Sequence, residues 1–517
     1  MIMKLKKMLS LLLAIVMLLS MAACGGNKNQ NNPNANGGDG PAGTLNIVAA
    51  DFGYGINWLK ALAQVYMAQN KNATIKVEGT VIPHQIISQI EGGLAKYDMI
   101  FSTSELYLSK DYFVNLNDIY ASAPEGETKT IAEKVGSLNS GFQYKGDYYS
   151  MPYVMSPTSM VVNDTTMKEI YGDNYTLPNT TDEMMKLFDE LKTKGVYPFI
   201  DTPSAAYTSA LVQTWWAQYD ISGYENYYLG QYVDENGQTQ KAMNGESLIQ
   251  PGKLKALKLA ATLLNVENGY NHRYADAMDF AEAQLVFCGH GYGNIDTKKV
   301  AFMPNGSWLE NEMETTLAEY PVEMRMFRTP VFSAIIETLP DKSVADDAEL
   351  SALITAIDAG STALSGTGYE VTQNDFDKVK TARSYVNHVS DGHQVGIVKT
   401  CQNQELAKDF LKFMASDAAS SLVMKELGGL TLAYGFMPSD DKTANVSSFI
   451  QSAYDLCDGA IFINHHGTDK ISDIHITRNP NGYIGTLISG SSTAEDVYNE
   501  DVTKYTAEWQ YLLSATE

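Results

Sequence analysis

The sequence predicts an α/β protein of at least two globular units, each built on a sheet with a parallel core flanked by helices. Three observations predict it. The chain has 517 residues, whereas single cores rarely grow past about 250–300. From Thr44 onward, apolar residues repeat with a period of two and then of about 3.6, the marks of strands and helices in turn. Hydrophobic residues make up 44% of the chain, and 31 Tyr, 17 Phe and 5 Trp add large apolar surface, which excludes a disordered chain.

In the first unit Leu45 and Ile47 alternate with polar neighbours, and Leu59, Leu62, Ala63 and Tyr66 then fall on one helix face. Ile75 and Val77 alternate again, Ile86, Ile90 and Leu94 form a second helical stripe, and Asp98 to Phe101 reads as a short buried strand. This β-α-β-α-β order implies parallel pairing with right-handed crossovers, and ligands of open parallel sheets bind beyond the carboxyl ends of strands. Those ends carry Asp51 and Tyr54, with Trp58 opening the helix, and then Ser102, Thr103 and Glu105.

In the second unit Ser159 to Val162 reads as a strand and Thr180 with Glu183 as a capping box. Met184, Leu187, Phe188 and Leu191 give a helical stripe that Gly195 stops. Val196 to Ile200 is extended, and a long helix runs through Leu211, Trp215 and Trp216. Val300 to Met303 is a short strand that runs into Pro304-Asn305-Gly306-Ser307-Trp308, again an aromatic at a strand end. Ala407, Phe410, Leu411 and Met414 repeat the helical spacing.

The amino terminus reads as an address. Lys4, Lys6 and Lys7 precede an apolar run from Leu11 to Leu19 and then Ser20-Met21-Ala22-Ala23-Cys24, the layout of a secretory signal. Nine apolar residues are too few to span a hydrocarbon core of ~30 Å. The layout resembles a bacterial lipobox, which makes residues 1–23 a lipoprotein signal peptide and Cys24 the lipidated first residue; ordinary cleavage near Ala23 is the other reading. Residues 24–43 hold six Gly and six Asn and no large apolar side chain, so they read as a disordered tether.

The net charge is −24, and loss of residues 1–23 removes three lysines and no acid, leaving −27. Such a body repels phosphate backbones, which excludes a nucleic-acid partner. Cys288, Cys401 and Cys457 are odd in number and widely spaced, as free buried thiols are, and unlike a disulfide framework or zinc ribbon. The run Cys288-Gly289-His290-Gly291-Tyr292-Gly293 lacks the spacing of a phosphate loop. His465, His466 and His475 lack the HExxH pattern. No metal or other cofactor is expected.

Longer stretches then carry a resemblance. "DFGYGINWLKALAQVYMAQN" (51–70), "YYSMPYVMSPTSMVVN" (148–163), "KVAFMPNGSWLENEM" (299–313) and "GIVKTCQNQELAKDFLKFMASDAASSLVMKELGG" (396–429) resemble the family 1 extracellular solute-binding proteins, the sugar-binding lipoproteins of ABC importers that include the maltose-binding proteins. The resemblance implies the two-lobed periplasmic-binding-protein fold of type II with a hinged cleft. Carried onto this chain, it places one lobe at 44–153 plus 393–430 and the other at 159–328 plus 438–517. It leaves 333–392 as an unassigned insertion near the hinge. It further implies a carbohydrate ligand, probed by the lobes as they close, and ABC permease subunits as partners. The implied molecule is a monomer held on the extracytoplasmic face of the membrane by a lipid anchor, without catalysis.

Sugars present flat C–H faces ringed by hydroxyls, so their sites combine aromatic platforms with carboxylates, amides and hydroxyls. Trp308 is the leading platform, since in the family the Trp of this Gly-x-Trp turn stacks on ligand. Tyr54, Trp58, Asp51, Ser102, Thr103 and Glu105 face the expected cleft from the first unit. Asp201, Tyr207 and one of the adjacent pair Trp215 and Trp216 are candidates from the second. Tyr153, Phe332 and Tyr434 stand near the crossings as either hinge lining or core. Two other functions remain open at this point: a cell-surface carbohydrate-active enzyme, and a binding protein for a peptide or polyamine.

Overall fold

The strand and helix periods resolve into two sheets in the computed structural model, which describes residues 40–94, 96–103, 106–136, 138, 142–144, 146–361, 370–389, 392–427, 432–435, 446–463 and 482–514. The signal peptide, Cys24, most of the tether, Glu105, His465, His466 and His475 lie outside them. In chain order the sheet strands are β1 (Gly43–Ala50), β2 (Ala73–Thr80), β3 (Met99–Ser102), β4 (Met151–Pro152), β5 (Pro157–Asn163), β6 (Tyr197–Phe199), β7 (Val300–Gly306), β8 (Met324–Phe327), β9 (Tyr385–His388), β10 (Gln394–Ile397) and β11 (Ile461–Ile463). The helices that pack on them include α1 (Asn57–Gln69), α2 (Pro83–Glu91), α3 (Thr181–Thr193), α4 (Thr208–Tyr219), α5 (Ile221–Leu229), α6 (Pro251–Leu264), α7 (Phe280–Phe287), α8 (Leu309–Glu312), α9 (Asp347–Asp358), α10 (Gln373–Ser384), α11 (Gln404–Met414), α12 (Ile484–Ile488) and α13 (Ala494–Ser514). No described helix is long and apolar enough to cross a membrane.

The first unit spans Met1–Gly136, Phe142–Met155 and Gly392–Val446. Its sheet runs in the order β2-β1-β3-β10-β4. The pairs β1–β2 and β1–β3 are parallel, as the β-α-β-α-β pattern requires, whereas β10 runs antiparallel to β3 and β4. Helix α1 buries Trp58, Leu59, Leu62, Ala63 and Tyr66 on one side. Helix α2 starts on Pro83, whose fixed φ suits a first helical position, and stops before Gly92 and Gly93. Leu94 therefore falls beyond the expected stripe and is 74% exposed.

The second unit spans Ser137–Gly141, Ser156–Asp391 and Ser447–Glu517. Its sheet order is β11-β9-β5-β7-β6, and β5 divides one edge between two partners: β9 at Pro157 and Thr158, and β8 from Met160 to Asn163. The sheet is mixed, with β6–β7 and β9–β11 parallel and β5 running against its neighbours. Every residue of β5 and β7 is buried, the apolar Met160 to Val162 and Val300 to Met303 together with the polar Thr158, Ser159, Asn163 and Asn305. Thr180 caps α3 by accepting the Glu183 N–H at 3.2 Å, but the Glu183 carboxylate takes the Asn179 N–H at 2.8 Å, so the box closes one residue early.

The stretch 333–392, to which the sequence assigns nothing, supplies α9, α10 and β9 to this unit. Val331, Ile335, Leu350, Leu353, Ile354, Phe376 and Val379 make it a core of its own. Cys288 and Cys401 are buried and Cys457 is half-buried, and all three are free thiols.

One buried titratable group gives this unit a pH signature. His272 is fully buried beside Tyr197, ring centroids 4.4 Å apart, and its Nδ1 accepts the Tyr274 N–H at 3.3 Å. Its Nε2 has no partner among the described residues. Burial pushes it down from 6.5 to about 4, with Asp296 opposing and Arg273 and Lys298 adding to the fall. The folded chain then refuses a proton that the unfolded chain accepts, so stability is whole above about 6.5 and is lost as pH falls toward 4. Thermal unfolding followed at pH 7, 6, 5 and 4 is expected to lose midpoint faster in the native chain than in His272→Asn; parallel curves would contradict this.

Candidate functional site

At the carboxyl end of β1 the chain turns through Gly53 and Gly55, both with positive φ, before α1 begins. Trp58 closes this turn by donating its indole N–H to the Gly55 carbonyl at 2.9 Å. Asp51 lies across β2 at Gly79, where a Cβ would come within 2.5 Å of Asp51 Oδ2. The register Ala50↔Thr80 thus brings an exposed carboxylate to the sheet edge, and only glycine leaves it room.

Behind that edge stands an aromatic stack. Trp58 lies parallel to Tyr153 with centroids 5.6 Å apart, and Phe101 meets both edge-on. His393 meets the edges of Tyr54 and Tyr153, each at 5.6 Å. Trp58 and Tyr153 are 3% and 5% exposed, so they form the backing, and Tyr54, half-buried His393 and Asp51 stand in front. Burial, and then the Tyr54 hydroxyl, pushes the Tyr153 hydroxyl far up, which keeps it neutral. Ser102 is fully buried at the end of β3 and Thr103 is half-buried. Tyr434 is core, donating to the Pro152 carbonyl at 2.5 Å.

In the second unit β7 ends at Gly306, and Trp308 folds back over it. A Cβ on Gly306 would lie 2.0 Å from Trp308 Cζ3 and 2.2 Å from Cη2, so the Gly-Ser-Trp sequence is needed to seat the ring on bare backbone. The Tyr207 ring lies 5.7 Å away at 60°. Burial, then the Glu312 carboxylate, pushes the Tyr207 hydroxyl far up. Glu312, one turn beyond Trp308, accepts from Gln284 at 2.9 Å, and Glu310 accepts from Ser447 at 2.5 Å. Burial raises both carboxyls above their ordinary value.

Asp201 holds the turn that carries Tyr207. Its Oδ1 accepts the Thr202 N–H at 2.8 Å, and its Oδ2 accepts the Thr208 N–H at 2.7 Å and the Thr208 hydroxyl at 2.6 Å. It is 2% exposed, and burial pushes it up to about 6 against those bonds. Inside the loop so closed, Ala206 sits at φ 53, a conformation that costs a non-glycine residue about 1 kcal/mol or more. The carboxylate therefore acts on the backbone, fixing Tyr207 beside Trp308. Asp201→Ala orphans two buried N–H groups and is expected to cost about 2 kcal/mol of stability, read as a lowered urea midpoint. An unchanged midpoint would mean the turn holds without it.

Trp215 and Trp216 are both core, at 0% and 2% exposed. Adjacent helical side chains diverge, but α4 is covered by α5, α6, α10 and β9 at once, so both directions lead inward. Trp215 packs on Phe332, itself 6% exposed, and Trp216 meets Tyr224 and Tyr227 edge-on. Three residues of these two sites escape a reading of the sequence: His393, Glu310 and Glu312. A sign for His393 was available, because "HQ" directly precedes an apolar strand, and the start of an antiparallel strand lies at the ligand end of its parallel neighbours.

A model of the bacterial extracellular solute-binding protein family matches residues 53–420. The diacetylchitobiose-binding protein NgcE of Streptomyces coelicolor is 26% identical over 305 residues, 56% of this chain. The chain spans 57% of the length of that relative. Among solved structures, the GacH receptor of Streptomyces glaucescens aligns over 92% of this chain and all of its own at a TM-score of 0.57 and 13% identity. A chitin oligosaccharide-binding protein aligns over 90% and 98% at 0.55 and 16%. RafE, solved with raffinose, aligns over 90% and 99% at 0.55 and 14%. At such identities the likeness is one of fold, and it is the two-lobed type II fold expected from the sequence.

Proposed function

Since the chain belongs to the bacterial extracellular solute-binding proteins, we propose that it captures an oligosaccharide outside the cytoplasm and delivers it to an ABC importer. The observation that carries this reading is the Trp308–Tyr207 pair at the end of β7 with the Glu312 carboxylate beside it, a flat apolar face edged by hydroxyl-binding groups. The names of the relatives, binders of diacetylchitobiose, chitin oligosaccharide and raffinose, support the same ligand class.

In this reading Tyr54, Asp51, Thr103 and His393 are the first unit's contribution, with the Trp58–Tyr153 stack holding Tyr54 and His393 in place. Ser102, Trp215, Trp216, Phe332 and Tyr434 support the fold from within. The units are the two lobes, and ligand held by both favours a closed form that the permease subunits recognise. Cys24 carries the lipid that holds the monomer at the membrane, and residues 25–43 give it reach. The protein binds its ligand and does not transform it.

Calorimetry with chitin oligosaccharides, raffinose and maltodextrins tests the ligand class. At least one is expected to bind tighter than millimolar. Binding of peptides or polyamines with no response to any sugar would sink the assignment.

A further inference from the structure

A pocket of about 370 Å³, open to solvent past Glu500 and Lys504, lies in the second unit among helices α4, α5, α6, α12 and α13. Neither Trp308 nor Tyr207 lines it. Its walls are aromatic, formed by Trp216, Tyr227, Tyr228 and Tyr483, and an ion pair is set into them. Lys253 Nζ bonds Asp501 at 2.5 Å and the Tyr227 hydroxyl at 2.9 Å, and that hydroxyl donates to Asp501 Oδ2 at 2.9 Å. The ammonium also lies 4.2 Å from the Tyr227 ring centre. The side chains of the pair are only 14% and 22% exposed. Apolar residues of equal volume commonly serve a core as well as a buried ion pair does, so this pair is weak evidence for a stabilising role. Its place in the lining of a pocket is a reason to assign it to recognition.

The chemistry of the lining narrows the occupant. Glu500 and Lys504 join Asp501 and Lys253 among the lining residues, so two carboxylates balance two ammonium groups and no net field favours a charged solute. Tyrosine faces take up C–H surfaces, and the ion pair with the phenol hydroxyls offers both acceptors and donors to ring hydroxyls. The volume is near the small end of ligand pockets, about 300 to 1,000 Å³, which suits one ring rather than a chain. We propose that this cavity binds a single uncharged sugar ring at a site distinct from Trp308. The choice of sugar rests on the function proposed above. Helix α12, which lines the pocket with Thr486, also lies against the site turn, with 3.3 Å between an ideal Cβ on Gly485 and the Pro203 Cβ.

The test is saturation-transfer NMR and calorimetry on the full chain with glucose, galactose and N-acetylglucosamine, repeated in Tyr228→Ala, Thr486→Phe and Trp308→Ala. Tyr228→Ala removes a wall, and Thr486→Phe fills the space from α12. At least one monosaccharide is expected to bind saturably. Its affinity should fall tenfold or more in both cavity variants and survive in Trp308→Ala. Undiminished oligosaccharide binding identifies a folded cavity variant, and if one fails to fold the other decides. Oligosaccharide binding without any monosaccharide signal overturns the cavity site and leaves the proposed function standing. So does a signal lost in Trp308→Ala and kept in Thr486→Phe. Silence toward every sugar overturns both.

Discussion

Replacing Trp308 by alanine is expected to weaken oligosaccharide binding by more than tenfold, about 1.4 kcal/mol, while the fold persists. The indole is the largest flat ring at the end of β7, and it is held on two sides, by Gly306 beneath it and Tyr207 across it. A platform so held loses little conformational entropy when a sugar docks, so its stacking energy is realised in full. Removing it also strips the ring contact with Tyr207, so two contacts fail together. Trp215→Ala serves as the contrast. That side chain is 0% exposed, and its removal should cost about 3–5 kcal/mol of stability and alter affinity only through unfolding. Calorimetry and thermal melts on both variants separate the cases. Equal affinity for native protein and a folded Trp308→Ala variant would move the platform elsewhere.

The sequence was most legible where one local rule fixes the outcome. Alternation at Leu45 and Ile47 and the stripe through Leu59 and Tyr66 yield β1 and α1, and their order dictates parallel pairing. Trp308 could be read at the end of its strand because Gly306 and Trp308 are neighbours in sequence as well as in space. Local rules failed where a distant contact decides. Leu94 continues a helical stripe on paper, but two glycines end α2 first. Trp215 and Trp216 looked divergent because helical geometry says nothing of what covers each side, and here both sides are covered. Asp201 reads from the sequence as a ligand-site candidate, yet its partners Thr202 and Thr208 close a loop around the strained Ala206. His393 reaches Tyr54 from 339 positions along the chain only because β10 inserts antiparallel beside β3. The core of 333–392 arises from Leu350, Phe376 and Val379, whose pairing no single period announces.

Gly306→Ala should behave as a substitution of Trp308 by other means. Gly306 has no positive φ, so alanine is allowed by the backbone, and the whole cost is steric. Its Cβ would stand 2.0, 2.2 and 2.4 Å from three atoms of the Trp308 ring, distances no contact tolerates. Either the ring leaves its seat, losing Tyr207, or β7 shifts against β5, whose Thr158 is its partner at this residue. The first course is cheaper, because β7 is buried along its whole length and its ladder would be broken at the centre of the sheet. Gly306→Ala alone is therefore expected to cost about 2–3 kcal/mol of stability and to weaken oligosaccharide binding as strongly as Trp308→Ala. In a Trp308→Ala background the obstacle is gone, and the same substitution should be nearly neutral. A double-mutant cycle on urea unfolding would then yield a coupling of about 2–3 kcal/mol between the two positions. Additive effects would mean the ring does not rest on this backbone, and the geometry of the platform itself would have to be redrawn.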